Sequence, residues 1–231
     1  MSHVLDNAIW EALRTHQQYL NAGNDRLKYF PKEVSPLFAL QNWDASDHDI
    51  LEKELPADRS FFVLIAREIT IPNSMQVQLI LPLYQMVATK KVAAQHAHHA
   101  ITRKLTDQDI PQMLELTAKT KPGPFGNRTI EFGNYYGIFE GSRLISMAGQ
   151  RLQTNDFTEV SAICTDPAHL GKGYAAALTQ KVCACIYDTG KTPFLHVKQD
   201  NIGAIKLYEK LGFEIRADIF FAIFKMNIES Q

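Results

Sequence analysis

The chain has 231 residues, 45% of them hydrophobic, and its 24 Lys and Arg against 25 Asp and Glu give a formal net charge of −1. That length holds one large domain or two small ones with a real core, and charge this balanced, without a basic stripe, argues against a nucleic-acid partner. The opening Met1-Ser2-His3-Val4-Leu5-Asp6 lacks the basic and apolar regions of a signal peptide, and no apolar run is long enough to span a bilayer. The three cysteines, Cys164, Cys183 and Cys185, suggest a reducing compartment, with Cys183 and Cys185 on opposite sides of a predicted helix and therefore unbridged. The expectation is a cytoplasmic protein with no membrane contact.

Ile9, Leu13 and Leu20 recur at helical spacing, and Gly23 offers a stop. Pro31 and Pro36 frame a short apolar segment with Val34, Leu37, Phe38 and Leu40. Residues 61–66 read as a buried strand and 77–81 as another. This part carries apolar material but no chemical motif. A polar break near Thr89-Lys90-Lys91, followed by Gln95-His96-Ala97-His98-His99, is the best boundary, so residues 1–100 are expected to form an N-terminal accessory region and 101–231 a second domain. The His96, His98 and His99 cluster has no Cys or carboxylate at ligand spacing, so a solvated segment is expected and no metal site.

Residues 101–105 begin a strand, and Asp107 leads a helix with Ile110, Met113, Leu114 and Leu116. Lys121-Pro122-Gly123-Pro124-Phe125-Gly126 cannot be regular structure, and rigid loops of this kind line binding clefts. Residues 135–139, 143–151 and 157–165 make three successive strands, the first two joined at Glu140-Gly141-Ser142. With the helix, strand, helix and strand that follow, they predict an α/β domain with a mixed sheet.

The third of these strands runs through Thr158-Glu159-Val160-Ser161-Ala162-Ile163-Cys164-Thr165-Asp166-Pro167 into Ala168-His169-Leu170-Gly171-Lys172-Gly173-Tyr174-Ala175. Strand, glycine turn and helix in that order present backbone N–H groups to a phosphate, and Gly171 and Gly173 let a bulky anion approach closely. Gly173 stands where a nucleotide triphosphate loop needs Ser or Thr, and the third glycine of a dinucleotide fingerprint is missing. Downstream, Pro193-Phe194-Leu195-His196-Val197 reads as a buried strand. Asp200 or Asn201 then caps a helix through Ala204, Ile205, Leu207, Tyr208 and Leu211, and Gly212 ends it. Phe213-Glu214-Ile215 opens another strand.

These residues resemble the GNAT superfamily of acyl-CoA-dependent N-acetyltransferases: 163–176 its pyrophosphate motif, and Asn201-x-x-Ala204-x-x-Leu207-Tyr208-x-x-Leu211-Gly212-Phe213 its second motif. Leu195-His196-Val197 and Gly173-Tyr174-Ala175 look most like the subgroup related to glycine N-acyltransferases. The resemblance covers residues 101–231 and implies a GNAT-type α/β fold, a mixed and mostly antiparallel sheet flanked by helices. For residues 1–100, likeness to tandem family members suggests a degenerate second copy; a helix-and-strand lid is the alternative.

The resemblance also implies roles. Acetyl-CoA is the co-substrate and a small-molecule or peptide amine the acceptor. Ile163, Cys164 and Thr165 would offer strand-edge groups to the pantetheine amides, and Gly171, Lys172, Gly173, Tyr174, Ala175 and Ala176 would hold the pyrophosphate. Asn201 would contact the pantetheine arm, and Tyr208 would protonate the leaving thiolate. Glu159 is the candidate base, placed by strand alternation on one face with Ser161 and Ile163; His196 is a weaker one. The family usually has Gln or Arg where this chain has Leu170, so a side-chain phosphate contact is lost. Tyr208 as a core aromatic, Glu159 as an inert strand residue, and a non-catalytic acyl-CoA-binding module stand as the alternatives.

Overall fold

The chain is described by a computed structural model covering residues 3–67, 69–90 and 102–227; His96, His98, His99 and Ile101 lie outside the described residues. Its first part comprises α1 (Ala8–Arg14), β1 (Leu27–Tyr29), β2 (Phe38–Leu40), α2 (Ala45–Glu54), β3 (Ser60–Ile65) and β4 (Met75–Ala88). Its second comprises β5 (Thr102–Lys104), α3 (Ile110–Thr120), β6 (Tyr135–Glu140), β7 (Arg143–Gln153), β8 (Phe157–Thr165), α4 (Tyr174–Tyr187), β9 (Thr192–Lys198), α5 (Ile202–Lys210) and β10 (Phe213–Met226). The expected first helix is shorter than its periodicity. The backbone turns at Thr15, and Leu20 falls in a separate 3-10 turn, Gln18–Leu20.

Eight strands form one sheet in the order β3-β10-β4-β9-β8-β7-β6-β5. Every neighbouring pair is antiparallel except β8 and β9. The boundary expected near residue 100 divides motif content and not the folded body. Strand β4 lies between β10 and β9, with Gln85 opposite both Ala217 and His196. Residues 60–65 and 75–88 therefore supply two strands of the same sheet, and α1 part of the cover on one face. Local periodicity cannot reveal such pairing, because it joins residues more than a hundred positions apart.

The strands are apolar on both sides, and each side has its own cover. Helices α4 and α5 pack against Met86, Val160, Leu195, Val197 and Phe213. On the opposite side α1 packs with Phe30, Phe132, Leu152 and Phe194. Phe194 and Leu195, adjacent in β9, thus enter different cores, as strand alternation requires.

Between β8 and β9 the sheet comes apart. Parallel pairing joins only Phe157–Glu159 to Thr192–Phe194, although β8 continues to Thr165 and β9 to Lys198. The cause is a bulge: Ala162 has φ +52°, and the β7–β8 register slips between Ser161 opposite Gly149 and Cys164 opposite Met147. A bulge of this kind bends its strand and ends regular pairing. It also reverses the alternation. Val160 and Ile163 face the α4 side, while Ala162 and Cys164 face α3, so Ile163 does not share a face with Glu159 and Ser161 as expected.

A buried polar chain crosses the sheet at the root of this opening. The Gln85 Oε1 accepts from Arg216 Nε, which fixes the amide, so its Nε2 donates to the Leu5 carbonyl (3.1 Å) and to His196 Nε2 (3.0 Å). Arg216 Nη1 reaches Asp6 at 2.8 Å. Gln85→Leu is expected to strand these groups at a cost of about 1–3 kcal/mol. Thermal unfolding would read this as a Tm loss of roughly 2–4 °C per kcal/mol in a chain of this size; an unchanged Tm would show that the chain of bonds contributes nothing.

Candidate active site

The turn expected to hold phosphate is open. Gly171 (φ +77°) and Gly173 (φ +79°) both take the left-handed backbone that favours glycine, and nothing lies within 4 Å of where a Gly171 Cβ would stand. Gly173 is the N-cap of α4 and supplies no capping side chain, so the first N–H groups of the helix have no side-chain cap. Leu170, Gly171, Lys172 and Gly173 are exposed, Tyr174 and Ala175 half-buried, and Ala176 buried. Leu170 is 65% exposed and gives the site no polar group.

Along β8, alternation decides which backbone groups face the open edge. Cys164 is turned toward β7, where its carbonyl accepts from the Ser146 hydroxyl at 2.9 Å, and the Asp166 N–H also reaches that way, to Ile145 at 2.7 Å. By alternation, the backbone groups of Ile163 and Thr165, on either side of Cys164, face the opening. Cys164 therefore departs from the expectation of a cofactor contact. Burial raises its thiol to about 11, so it is a packing residue with little thiolate character.

Across the opening, Asn201 caps α5: its Oδ1 accepts from the Ala204 N–H at 3.2 Å, leaving its amide NH2 exposed. Tyr208 lies seven residues further along α5, on nearly the same helix face as Asn201, 7% exposed, with its ring edge-on to Phe213 at 6.2 Å. Desolvation pushes its hydroxyl up to about 12. The ring belongs to the core under α4 and α5, with Ile205, Leu211 and Phe213.

Glu159, the expected base, is buried and fully bonded. It is 1% exposed, with Oε2 accepting from Arg151 Nε at 2.8 Å and Oε1 from His196 Nδ1 at 2.7 Å. Burial by itself would raise the carboxyl; the Arg151 guanidinium and His196 outweigh it and hold the group at about 2 against 4.5. An anion this low and this fully bonded is a poor proton acceptor. His196 is engaged at both nitrogens, Nδ1 donating to Glu159 and Nε2 receiving from Gln85, so it has no lone pair free for substrate. Sequence reasoning missed Arg151, Gln85 and Arg216, since none stands in a motif.

Arg151 also lines a cleft beside the bulge, with Pro124, Phe125, Tyr135, Ser161 and Ala162. The expected Pro-Gly loop thus does stand over β8. It starts at Lys121, whose left-handed backbone (φ +49°) ends α3. Tyr135 fills the space left by Gly149, where a Cβ would lie 2.1 Å from the ring.

Strands β8 and β9 thus splay beneath a glycine turn, with a capped helix opposite. A family model described as FR47-like protein matches residues 135–221. The N-alpha-acetyltransferase RimI of Mycobacterium tuberculosis is 31% identical over 121 residues, which are 48% of this chain and 75% of that protein. A GNAT-family acetyltransferase structure from Novosphingobium aromaticivorans superposes with a TM-score of 0.91 at 28% identity, over 98% of this chain and 100% of the other. A GCN5-related N-acetyltransferase from Kribbella flavida shares the fold at TM-score 0.64 and 13% identity, over 98% of this chain and 96% of the other. The chain belongs to the GNAT superfamily and is a GNAT-type N-acetyltransferase.

Because the Glu159 carboxyl is lowered by folding, its stabilisation is present above pH 4.5 and is lost as pH falls from there toward 2. Glu159→Gln is expected to lower Tm at pH 7 and to flatten the acid limb over that window. The shape of the kcat/KM pH profile should stay as in the parent; loss of its ascending, low-pH limb in Glu159→Gln would restore Glu159 as the base.

Proposed function

We propose that the protein transfers an acetyl group from acetyl-CoA to a primary amine by direct attack on the thioester. The observation that carries this is the splay of β8 from β9 between the uncapped α4 turn and Tyr208. In this reading the pyrophosphate sits on residues 171–176. The pantetheine arm runs along the open edge of β8 at Ile163 and Thr165, and the Asn201 amide meets it from α5. The amine nitrogen bonds to the acetyl carbon as the carbon–sulfur bond breaks, and the amine proton leaves to water.

Tyr208 keeps its proton throughout the neutral range, since its hydroxyl lies near 12. A thiol has an ordinary pKa of about 8.5, so full transfer from this tyrosine is uphill by roughly 5 kcal/mol. Its larger contribution is then a hydrogen bond to sulfur as charge develops, with solvent completing the protonation. Glu159 holds Arg151 and His196 in place and takes no proton.

For the acceptor, the N-alpha specificity in the name of the RimI relative supports an α-amine on a peptide, while likeness to the glycine N-acyltransferase subgroup supports a small molecule. The three unbridged cysteines fit a reducing, cytoplasmic setting.

Calorimetric titration with acetyl-CoA, with desulfo-CoA and ATP as comparison ligands, tests the donor site. Gly173→Glu is expected to abolish acetyl-CoA binding, and retained affinity would refute the assignment. Tyr208→Phe is expected to lower kcat by about 10²-fold with the acetyl-CoA Kd unchanged; undiminished turnover would remove Tyr208 from the mechanism.

A further inference from the structure

The donor turn is entered through Asp166, a carboxylate that is 2% exposed and carries two cations. Its Oδ1 accepts from the Ala168 N–H at 3.0 Å and so shapes the 3-10 turn Pro167–His169. Its Oδ2 accepts from Lys119 Nζ at 2.8 Å and from Arg143 Nη2 at 2.5 Å. The two cations come from different places. Arg143 opens β7, within the sheet, whereas Lys119 lies in the last turn of α3. Two residues after Lys119 the backbone turns left-handed at Lys121 and becomes the Pro-Gly loop over Ala162 and Arg151. Thr120, between them, lies beside the Cys164 thiol on β8. The end of α3 thus meets the strand that enters the donor turn at two points, while its next residues roof the cleft on the other side of that strand.

We infer that the Lys119–Asp166 ion pair is a positioning device that couples the donor turn to the loop over the cleft beside the bulge, where the acceptor would sit. The inference rests on the donor-site reading above. A donor phosphate seated on residues 171–176 fixes the turn and with it the Asp166 carboxylate. Asp166 holds Lys119, and Lys119 fixes the helix end from which the loop departs. By linkage, a loop ordered over acceptor would in turn favour the donor-competent turn. Arg143 provides an internal control, because it can hold Asp166 in place without any connection to the loop. Either cation can be removed while the buried carboxylate keeps the other.

Hydrogen exchange across the full-length chain, with and without saturating acetyl-CoA, tests this. In the parent, acetyl-CoA is expected to slow exchange at residues 121–126 as well as in the donor turn. In Lys119→Met the turn should still be protected and the loop should not, with the acetyl-CoA Kd raised about fivefold and kcat at saturation within twofold of the parent. Lys119→Arg should restore the loop protection, and Arg143→Met should leave it intact. A parent that binds acetyl-CoA without protecting the loop would overturn the coupling, as would a Lys119→Met protein with parental loop protection. Equal loss of loop protection in Arg143→Met and Lys119→Met would reduce Asp166 to a general structural anchor and also overturn it. Failure of the parent to bind acetyl-CoA would instead refute the donor site on which the coupling depends.

Discussion

At the root of the opening between them, β8 and β9 are held together by three residue pairs and one buried anion. Glu159 sits where the pairing stops, bonded to Arg151 from β7 and to His196 from β9. Just beyond it, the bulge at Ala162 turns β8 away from its neighbour. The order matters. A bulge without the anion would loosen the sheet, and the anion without the bulge would give an unbroken sheet with no room for a donor. Burying the carboxylate is tolerable because all its strong partners are present, and removal of one would leave an unpaired charge in the core. What the sequence pattern suggests as a base is the post to which the cleft is fixed.

The same point ties in the first hundred residues. His196 accepts its second hydrogen bond from Gln85 on β4, which also donates to the Leu5 carbonyl and accepts from Arg216. The segment before α1 is held by Asp6 to the same arginine. The N-terminal part therefore supports the catalytic part in two ways, through strand pairing at β4 and through a continuous line of polar contacts under the sheet. Such a line has a definite geometry, where apolar packing alone would tolerate sliding. It keeps β9 at a fixed position while β8 diverges.

Much of this was legible because some functions are local. The glycine turn before α4, the Asn201 cap, Gly212 after α5 and the face shared by Asn201 and Tyr208 all follow from residues within one turn or one helix. The mixed sheet was legible from the order of strands and helices. Ala162 was not, since alanine gives no sign that its backbone will adopt a positive φ, and with it went the prediction that Ile163 faces with Glu159. The role of Glu159 could not be read either. Arg151 is eight residues away and His196 thirty-seven, and only the fold brings them together. The insertion of β4 between β9 and β10 was hidden for the same reason, with partners drawn from both ends of the chain.

The central claim is that a CoA-type donor lies between the diverging ends of β8 and β9. A crystal structure of the full chain with coenzyme A tests it most directly. The expected result has the pyrophosphate on the N–H groups of residues 171–176, the pantetheine amides paired with the open edge of β8 at Ile163 and Thr165, and the sulfur within hydrogen-bond reach of the Tyr208 hydroxyl. A coenzyme bound elsewhere, or a cleft closed by renewed pairing of β8 with β9 beyond Glu159, would contradict it.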